Sequence, residues 1–236
     1  MAKIQSEQAL AGAFEKEMSR LSRRRFLGYA GAAAGAMAGL AACTRQNDAS
    51  ARTGADGIDL GSGDPGILNY AYALEQLEAA FYVKVIMSPY ANMSAAETSL
   101  ISDIRDHEIA HREFFKNALG GAAIPALDFD FSTVDFGSRT SVLGTAKAFE
   151  DLGVSAYNGA GKLIKKADYL VLAGKIVSVE ARHASYIRDL VSPNSFADDS
   201  IIDMNGLDVT NKPADVLKIA QTYIKTKLDG SNLPFY

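Results

Sequence analysis

The sequence predicts an all-α fold: a four-helix bundle with a long connection between its second and third helices and an extra helix near the C-terminus. Four long segments between residues 65 and 191 carry apolar residues at the spacing of one helix face. Three of these segments run into proline or glycine, which end helices. The alternating residues after the second segment have no convincing partner strand nearby, so no strand is predicted there.

Helices A and B are predicted at residues 65–87 and 94–119. Asp64 precedes a proline, and this pair is typical of a helix start, with an N-cap acceptor before a residue that lacks an N–H group. Ser94 and Glu97 have the spacing of a capping box, which predicts the start of helix B.

The connection between helices B and C spans residues 120–139 and has no helical period. We interpret it as an extended crossover along the outside of the bundle, anchored by Phe129 and Phe131, which lets helices B and C run parallel. Helices C and D are predicted at residues 139–166 and 168–191. They should form an antiparallel hairpin, because almost no loop separates them.

A final helix is predicted from Pro213 to about Lys227, packed on the outside of the bundle after a polar loop. Arg182 and Arg188 of helix D are expected on a solvated face with Asp189. The opposite face of helix D is expected to bury an apolar stripe. The stripe consists of Leu170, Ile176, Val177, Ala184, Ile187 and Val191.

The first 42 residues have the features of an export signal. Residues 22–27, Ser-Arg-Arg-Arg-Phe-Leu, precede a short apolar run rich in glycine and alanine, and this arrangement closely resembles a twin-arginine signal. The run ends in Leu-Ala-Ala-Cys, which resembles a bacterial lipobox and predicts lipid on Cys43. We expect export by the twin-arginine machinery to the periplasm or cell envelope, with a lipid tether to the membrane. A plain signal anchor and cleavage without lipidation are the alternatives.

The sequence thus divides into four parts. Residues 1–42 are the signal, and residues 43–63 are a flexible tether, because they are mostly small and polar. Residues 64–192 form the four-helix bundle. Residues 193–236 form a C-terminal loop and helix packed on the bundle.

Charge and cysteine content exclude some functions. The chain of 236 residues has a formal net charge of −4 and no basic stripe interleaved with aromatic residues, so nucleic acid is not an expected partner. A single cysteine excludes an internal disulfide and a cysteine-based zinc or iron–sulfur site.

Two of the three histidines follow a glutamate by three residues: Glu108 precedes His111, and Glu180 precedes His183. On a helix, this spacing places a carboxylate and an imidazole on one face, about one turn apart. One such pair is weak evidence of a site, but two pairs among three histidines indicate a paired arrangement.

Two further glutamates extend this pattern into an internal repeat. Glu75 precedes Tyr82 by seven residues, and Glu150 precedes Tyr157 by the same number. The single glutamate precedes its Glu-x-x-His motif by 33 residues in the first half and by 30 in the second. Two related helical hairpins would therefore bring four carboxylates and two imidazoles together.

This set of groups favours a centre of two divalent metal ions. Four carboxylates balance the charge of two divalent cations, and oxygen with imidazole nitrogen suits iron or manganese. Without metal, four buried carboxylates would repel one another strongly, and some would have to be protonated.

The pattern resembles the ferritin-like di-iron carboxylate proteins. Residues 74–82 (Leu-Glu-Gln-Leu-Glu-Ala-Ala-Phe-Tyr), 106–108 (Asp-His-Glu) and 179–183 (Val-Glu-Ala-Arg-His) look like those of exported bacterial ferritin-like domain proteins, relatives of desiccation-related proteins. The resemblance covers about residues 65–191. It implies a ferritin-like four-helix bundle and a centre of two divalent ions, iron or manganese. Its ligands would be Glu75, Glu108 and His111 in one half and Glu150, Glu180 and His183 in the other, with Glu108 and Glu180 bridging.

Other residues are candidates for supporting roles behind these ligands. Glu78 lies one turn from Glu75 and is either an alternative ligand or a supporting group, and the repeat favours Glu75. His107 is expected to be a solvent-side or hydrogen-bonding residue that points away from His111. The supporting candidates are Glu78, Tyr82, Tyr157 and Asp106.

The function that these features imply is an exported dimetal protein that binds or reduces dioxygen or peroxide, with no catalytic residues beyond the metal ligands. One alternative is a non-enzymatic protein of the cell envelope, associated with stress or desiccation, in which the metal is structural or sequestered. Another is an assembly subunit. The sequence does not distinguish iron from manganese and leaves the oligomeric state open, a homo-oligomer included.

Overall fold

A computed structural model describes residues 53–54 and 57–234. The predicted signal, Cys43 and most of the predicted tether lie outside the described residues. Within them, the chain is mainly helical, and the predicted all-α four-helix fold is confirmed. The helices are α1 (Gly63–Met87), α2 (Ala95–Leu119), α3 (Arg139–Gly161), α4 (Ala167–Val191) and α5 (Pro213–Ala220), with a turn of 3-10 helix at Gly120–Ala122.

The four long helices, which correspond to predicted helices A to D, pack as two hairpins. α1 packs on α2 and α3 packs on α4, while contacts between α1 and α3 join the hairpins. α1 is enclosed on all sides at its centre, because every residue from Gly66 to Ala79 is buried. The short α5 packs on α3 and α1. None of the helices in the described part of the chain combines the length and apolar content needed to cross a membrane.

The crossover between α2 and α3 follows the bundle in an extended conformation, as predicted. Two polar side chains of α1 hold its backbone: Asn69 Oδ1 accepts from the amide of Ile124 at 2.9 Å, and Gln76 Oε1 accepts from that of Leu127 at 3.0 Å. These contacts satisfy backbone groups that no helix or strand pairs. They fix the crossover to the helix that also carries Glu75.

The predicted aromatic anchors of the crossover are confirmed. Phe131 is buried, and the Phe129 ring lies on it with centroids 6.0 Å apart and planes 14° apart. Phe129 also forms an isolated antiparallel β-bridge with Ile224, a contact that the sequence did not predict.

A small three-stranded sheet precedes and follows the bundle in sequence. β1 (Thr53–Gly54) is antiparallel to β2 (Gly57–Asp59), which is parallel to β3 (Leu228–Asp229). The expectation of a flexible tether up to residue 63 is therefore wrong for its last residues. Ile58 and Leu60 are buried in the core, so these residues belong to the fold. Gly57 has a φ of +118°, and a Cβ there would lie 2.5 Å from a backbone oxygen of the chain before β3.

Three predicted helix boundaries differ from the structure. α3 ends at Gly161 instead of residue 166, and α5 ends at Ala220 instead of about Lys227. α1 begins at Gly63, and Asp64 is not its N-cap. Instead, the Asp64 carboxylate accepts from two amides in the turn after α3, those of Lys165 and Lys166, at 2.8 and 2.9 Å. This long-range contact explains why the helix before them stops early.

The predicted capping box is confirmed. Ser94 Oγ accepts from the Glu97 amide at 3.1 Å, and the Glu97 carboxylate accepts from the Ser94 amide at 3.0 Å. Glu97 also pairs with Arg139 at the start of α3, at 2.7 Å, so the capping box links the two hairpins.

The predicted faces of α4 are partly wrong. Ile176, Ala184 and Ile187 are buried as expected, but Leu170 and Val191 near the ends of the helix are exposed. The error arises because the bundle covers the middle of α4 more completely than its ends.

Arg188 was expected in solvent with Arg182 and is instead almost fully buried, whereas Arg182 is exposed. Its guanidinium donates to Asp151 Oδ2 at 2.6 Å and to Asp198 Oδ1 at 2.7 Å. It also donates to the carbonyl of Ser195 at 2.9 Å. The loop after α4 supplies most of these acceptors, and helical periodicity cannot predict where that loop folds back.

Candidate metal centre

The six predicted ligands meet at mid-height in the bundle. Glu75 and Glu150 are the central residues of α1 and α3, and Glu108 and Glu180 each lie one residue past the centre of α2 and α4. All four glutamates have an exposed fraction of 0%. The repeat in the sequence thus becomes a cluster of carboxylates in the interior, each placed by a different helix.

The first half of the cluster surrounds His111, which projects from α2. Its Nδ1 atom lies 2.8 Å from Glu180 Oε1, 3.5 Å from Glu75 Oε2 and 3.7 Å from Glu108 Oε2. Three carboxylates from three helices therefore approach one imidazole nitrogen.

The second half repeats this geometry around His183 of α4. Its Nδ1 atom lies 2.8 Å from Glu108 Oε1, 3.6 Å from Glu150 Oε2 and 3.8 Å from Glu180 Oε2. In each half, all ligand atoms lie within 4.8 Å of one another. Glu108 and Glu180 belong to both halves, which is the arrangement that bridging carboxylates require.

The candidate ligand atoms are arranged to bind a cation and not to form hydrogen bonds with one another. Eight of them are buried without a hydrogen-bond partner in the described part of the chain, although buried polar atoms normally have one. His111 Nδ1 and Glu180 Oε1 are close but lack the angles of a hydrogen bond. Carboxylate oxygens and imidazole nitrogens that converge in this way are suitable ligands for iron or manganese.

The two tyrosines of the repeat support the cluster crosswise. Tyr82 of α1 donates its hydroxyl proton to Glu150 Oε1 of α3, at 2.5 Å, and Tyr157 of α3 donates to Glu75 Oε1 of α1. Each bond leaves the Oε2 atom of that glutamate facing the histidine of its half. Both tyrosines are buried, so they fix the orientation of the two glutamates that are not shared.

Glu78 is a fifth buried carboxyl beside the centre, but it is not in either group of converging ligand atoms. The structure thus places Glu75, and not Glu78, among those atoms. Glu78 faces Gly153, which occupies the matching position of the repeat on α3. A Cβ on Gly153 would lie 3.0 Å from Glu78 Oε1 and 3.7 Å from Glu180 Oε2, so the glycine leaves space for this carboxyl.

His107 is a residue of the centre whose role the sequence reasoning missed. Its Nδ1 atom lies 2.9 Å from Nε2 of His183, and the two ring planes are 6° apart. The expectation of a hydrogen-bonding residue is right, but the stated direction is wrong. His107 precedes His111 by four residues, and this spacing places both on the same side of α2. The spacing of four residues could therefore have predicted that His107 lies near the centre.

Asp106, a predicted supporting residue, does not reach the centre. It pairs with Arg105 on the surface, at 2.8 Å. Its backbone position, one residue from His107, turns its side chain to a different side of the helix.

Protons must leave the cluster when a cation binds. Burial raises the pKa of Glu108 well above its usual range, and the nearby carboxylate of Glu180 adds to this effect. Burial alone would lower the pKa of His111 and His183, but the surrounding carboxylates, with oxygens 2.8 to 3.8 Å from each Nδ1 atom, raise it above the usual value of imidazole. Cation binding therefore competes with protons at neutral pH.

Comparison with known families agrees with the geometry. The model of the family described as "Ferritin-like domain" matches residues 63–193, which is more than half of the chain. The chain belongs to the ferritin-like family. No curated protein matches the chain significantly.

The matched range contains α1 to α4 and all six predicted ligands, so the predicted ferritin-like bundle is confirmed. The small sheet and α5 lie outside it. The ferritin-like fold and the buried cluster of glutamate and histidine together indicate divalent metal binding.

A small apolar pocket lies beside one end of this ferritin-like centre. Tyr157, which donates to Glu75, forms part of its wall, as do Leu74 next to Glu75 and Phe115 one turn after His111.

Proposed function

We propose that this protein binds two divalent metal ions, iron or manganese, between its two helical hairpins and uses them to reduce dioxygen or peroxide. The observation that carries the proposal is the pair of overlapping ligand groups, with eight buried ligand atoms that have no other partner in the described chain. One ion would lie among Glu75, Glu108, Glu180 and His111. The other would lie among Glu108, Glu150, Glu180 and His183.

The bound metals would supply the electrons. One electron from each of two bound ions would convert hydrogen peroxide and two protons into two molecules of water. The protein keeps this chemistry in a dry interior, since all four glutamates are buried. A site without bulk water protects a reactive oxidant from side reactions.

The chain supplies groups that hold protons beside the ligands. Burial raises the pKa of Glu78 well above its usual range, and the charge of Glu180 raises it further. Glu78 therefore holds its proton more tightly than an exposed glutamate does, next to a shared ligand. The hydroxyl protons of Tyr82 and Tyr157 remain on the tyrosines, because burial raises the pKa of both groups. These two residues thus orient their glutamates as hydrogen-bond donors.

The apolar pocket against Tyr157 supports a small, weakly polar oxidant such as dioxygen. Its described lining is almost entirely apolar, and such a wall does not bind ions or sugars. His111 is the more accessible of the two histidine ligands, with 13% of its side chain exposed against 5% for His183.

Metal analysis combined with oxidation kinetics tests this proposal. The purified chain is loaded with Fe(II) or Mn(II) without oxygen, the bound metal is counted, and hydrogen peroxide or dioxygen is added. We expect two metal ions per chain and oxidation of both, followed by absorbance. The double variant Glu108→Ala/Glu180→Ala should bind neither ion. Wild-type protein with less than one ion per chain, unchanged by the double substitution, would overturn the proposal.

A structural or sequestering metal site is the second candidate, and the depth of the centre favours it. A ligand that binds only the folded state stabilises that state. In this case, chelation should lower the melting temperature strongly, while neither peroxide nor dioxygen oxidises the bound metal at a useful rate. Absence of oxidation in fully loaded protein would select this function over the first.

Export and lipid attachment complete the proposed function. The twin-arginine pattern at residues 22–27 and the lipobox ending in Cys43 support this part. In bacterial cells that carry the export machinery, the protein should fractionate with the membrane from the outer side. Cys43→Ala should release it into the soluble exported fraction. Replacement of both Arg23 and Arg24 by lysine should retain it in the cytoplasm, and unchanged fractionation of both variants would contradict the proposal.

A further inference from the structure

The hydrogen bond between His107 and His183 has a fixed direction. His183 directs Nδ1 towards three carboxylates, so a cation there needs the lone pair of Nδ1, and the remaining ring proton must be on Nε2. Nε2 then donates to Nδ1 of His107 at 2.9 Å. The small angle between the ring planes suits this bond, because donor and acceptor lie in the planes of their rings.

The other histidine ligand has no such support. In the repeat, the position before Glu108 holds His107, but the matching position before Glu180 holds Val179. Valine has no side-chain acceptor. In the described part of the chain, no residue forms a hydrogen bond with Nε2 of His111. The two imidazoles therefore make equivalent contacts with carboxylates through Nδ1. They differ at Nε2, which has a hydrogen-bond partner among the described residues in His183 but not in His111.

A second difference falls on the same half of the centre. Glu78 and Glu180 Oε2 both flank Gly153, and this oxygen of Glu180 faces His183. The matching arrangement does not exist in the other half, because the residue that corresponds to Glu78 is Gly153 itself. One extra carboxyl and one extra hydrogen bond thus distinguish the half that contains His183.

We propose that the two metal positions are inequivalent and that the position of Glu150 and His183 fills first, because His107 fixes the ring of His183 for binding. This inference rests on the proposed function only in requiring that metal binds. His107 is a positioning residue, since it acts through His183 and does not contact the metal.

Orientation of a ligand ring by an outer hydrogen bond affects affinity strongly. Loss of such a partner typically lowers metal affinity by about 10- to 100-fold. The bond prevents rotation of the imidazole and keeps the proton on the nitrogen that does not bind. We therefore expect the two positions of the wild-type protein to differ in affinity by at least about tenfold.

Equilibrium titration with Mn(II), in competition with a chelator and without any oxidant, tests this inference. The wild type should bind one ion tightly and a second ion at least about tenfold more weakly. His107→Leu should weaken the tight step by about 10- to 100-fold and leave the weak step unchanged. His107→Asn should restore most of the tight step, because the asparagine oxygen can accept near the position of Nδ1.

Two matched variants assign the steps to positions. His183→Ala should remove the tight step, and His111→Ala should remove the weak step. Val179→His places a histidine behind His111 and should strengthen the weak step. The manganese electron paramagnetic resonance spectrum of protein with one equivalent of Mn(II) should change in His107→Leu and recover in His107→Asn, which a loss of packing alone would not produce.

Several outcomes would overturn the inference. Two equal binding steps in the wild type would do so, as would a tight step that His107→Leu leaves intact or that His111→Ala removes. His107 is exposed, so the leucine variant should fold, and His107→Ala serves as a second test of the same bond. Failure of the wild type to bind any Mn(II) or Fe(II) would overturn the proposed function instead.

Discussion

The hairpin of α1 and α2 and the hairpin of α3 and α4 supply the same set of ligands at nearly the same distances. Each histidine nitrogen lies 2.8 Å from a glutamate of the opposite hairpin and about 3.5 to 3.8 Å from two others. Each hairpin also supplies a tyrosine to the other. The symmetry therefore includes the six candidate ligands and the two tyrosines.

The two hairpins differ in the residues behind the ligands. His107 supports His183, but Val179 stands where His111 would need a partner. Arg188 fixes the end of α4 to the following loop, whereas the start of the crossover after α2 is held by Asn69 of α1. Candidate ligands that are symmetric, with support that is not, would allow the same chemistry in both halves but different metal affinities.

Removal of a shared ligand should have the largest effect. Glu108→Ala takes a carboxylate from both halves, so we expect loss of nearly all bound metal. Glu75→Ala takes one from a single half and should leave about one ion per chain. Metal analysis after loading and desalting checks both variants. Equal losses in the two would show that Glu108 is not shared.

Substitution of Arg188 should reduce stability by about 1–3 kcal/mol, because it leaves the carbonyl of Ser195 without its donor and removes one of the two charged partners of Asp151, the other being Lys147. Thermal or denaturant unfolding of Arg188→Met measures this loss. Arg182→Met is the matched control, since Arg182 is on the same helix and exposed, and it should change stability by less than about 0.5 kcal/mol. Similar values for the two variants would contradict the structural role of Arg188.

At acidic pH, both halves of the centre should lose their metal ion. The raised pKa of His111 and His183 means that both rings hold two protons in metal-free protein near neutral pH. Each must lose its Nδ1 proton to bind a cation, so affinity should increase with pH. We expect about tenfold per pH unit for each proton released. Titrations with Mn(II) at pH 6, 7 and 8 check the slope, and affinity that is independent of pH would disagree with these shifts.

The tyrosines should have smaller and crossed effects. Tyr82→Phe frees Glu150, so it should weaken the position with His183, although Tyr82 belongs to the first hairpin. Tyr157→Phe should weaken the position with His111. About tenfold is expected for each, as for other groups behind a ligand. If Tyr82→Phe instead weakened the position with His111, and Tyr157→Phe the position with His183, the hydrogen bonds between the hairpins would not be the cause of the weaker binding.

The sequence predicted which glutamates and histidines meet in the interior, because their signal is local and repeated. A spacing of three residues on a helix fixes the relative position of Glu108 and His111, and the second copy makes coincidence improbable. The capping box of Ser94 and Glu97 was predictable for the same reason. Neither conclusion required knowledge of how distant segments pack.

The features that the sequence did not predict depend on contacts between distant segments. Asp64 reaches the turn after α3, about a hundred residues away, and so its resemblance to an N-cap was misleading. Arg188 is buried only because the loop after α4 covers it. The buried strand at Ile58 depends on pairing with β3 near the C-terminus. No local spacing encodes these partners.

Anomalous scattering from crystals grown with Mn(II) tests the central claim most directly. Two anomalous peaks are expected, one among the ligands of His111 and one among those of His183, with Glu108 and Glu180 contacting both. At limiting Mn(II), the peak beside His183 should be the stronger. Absence of any peak among the six ligands in crystals that bind manganese elsewhere would contradict the assignment of a metal centre.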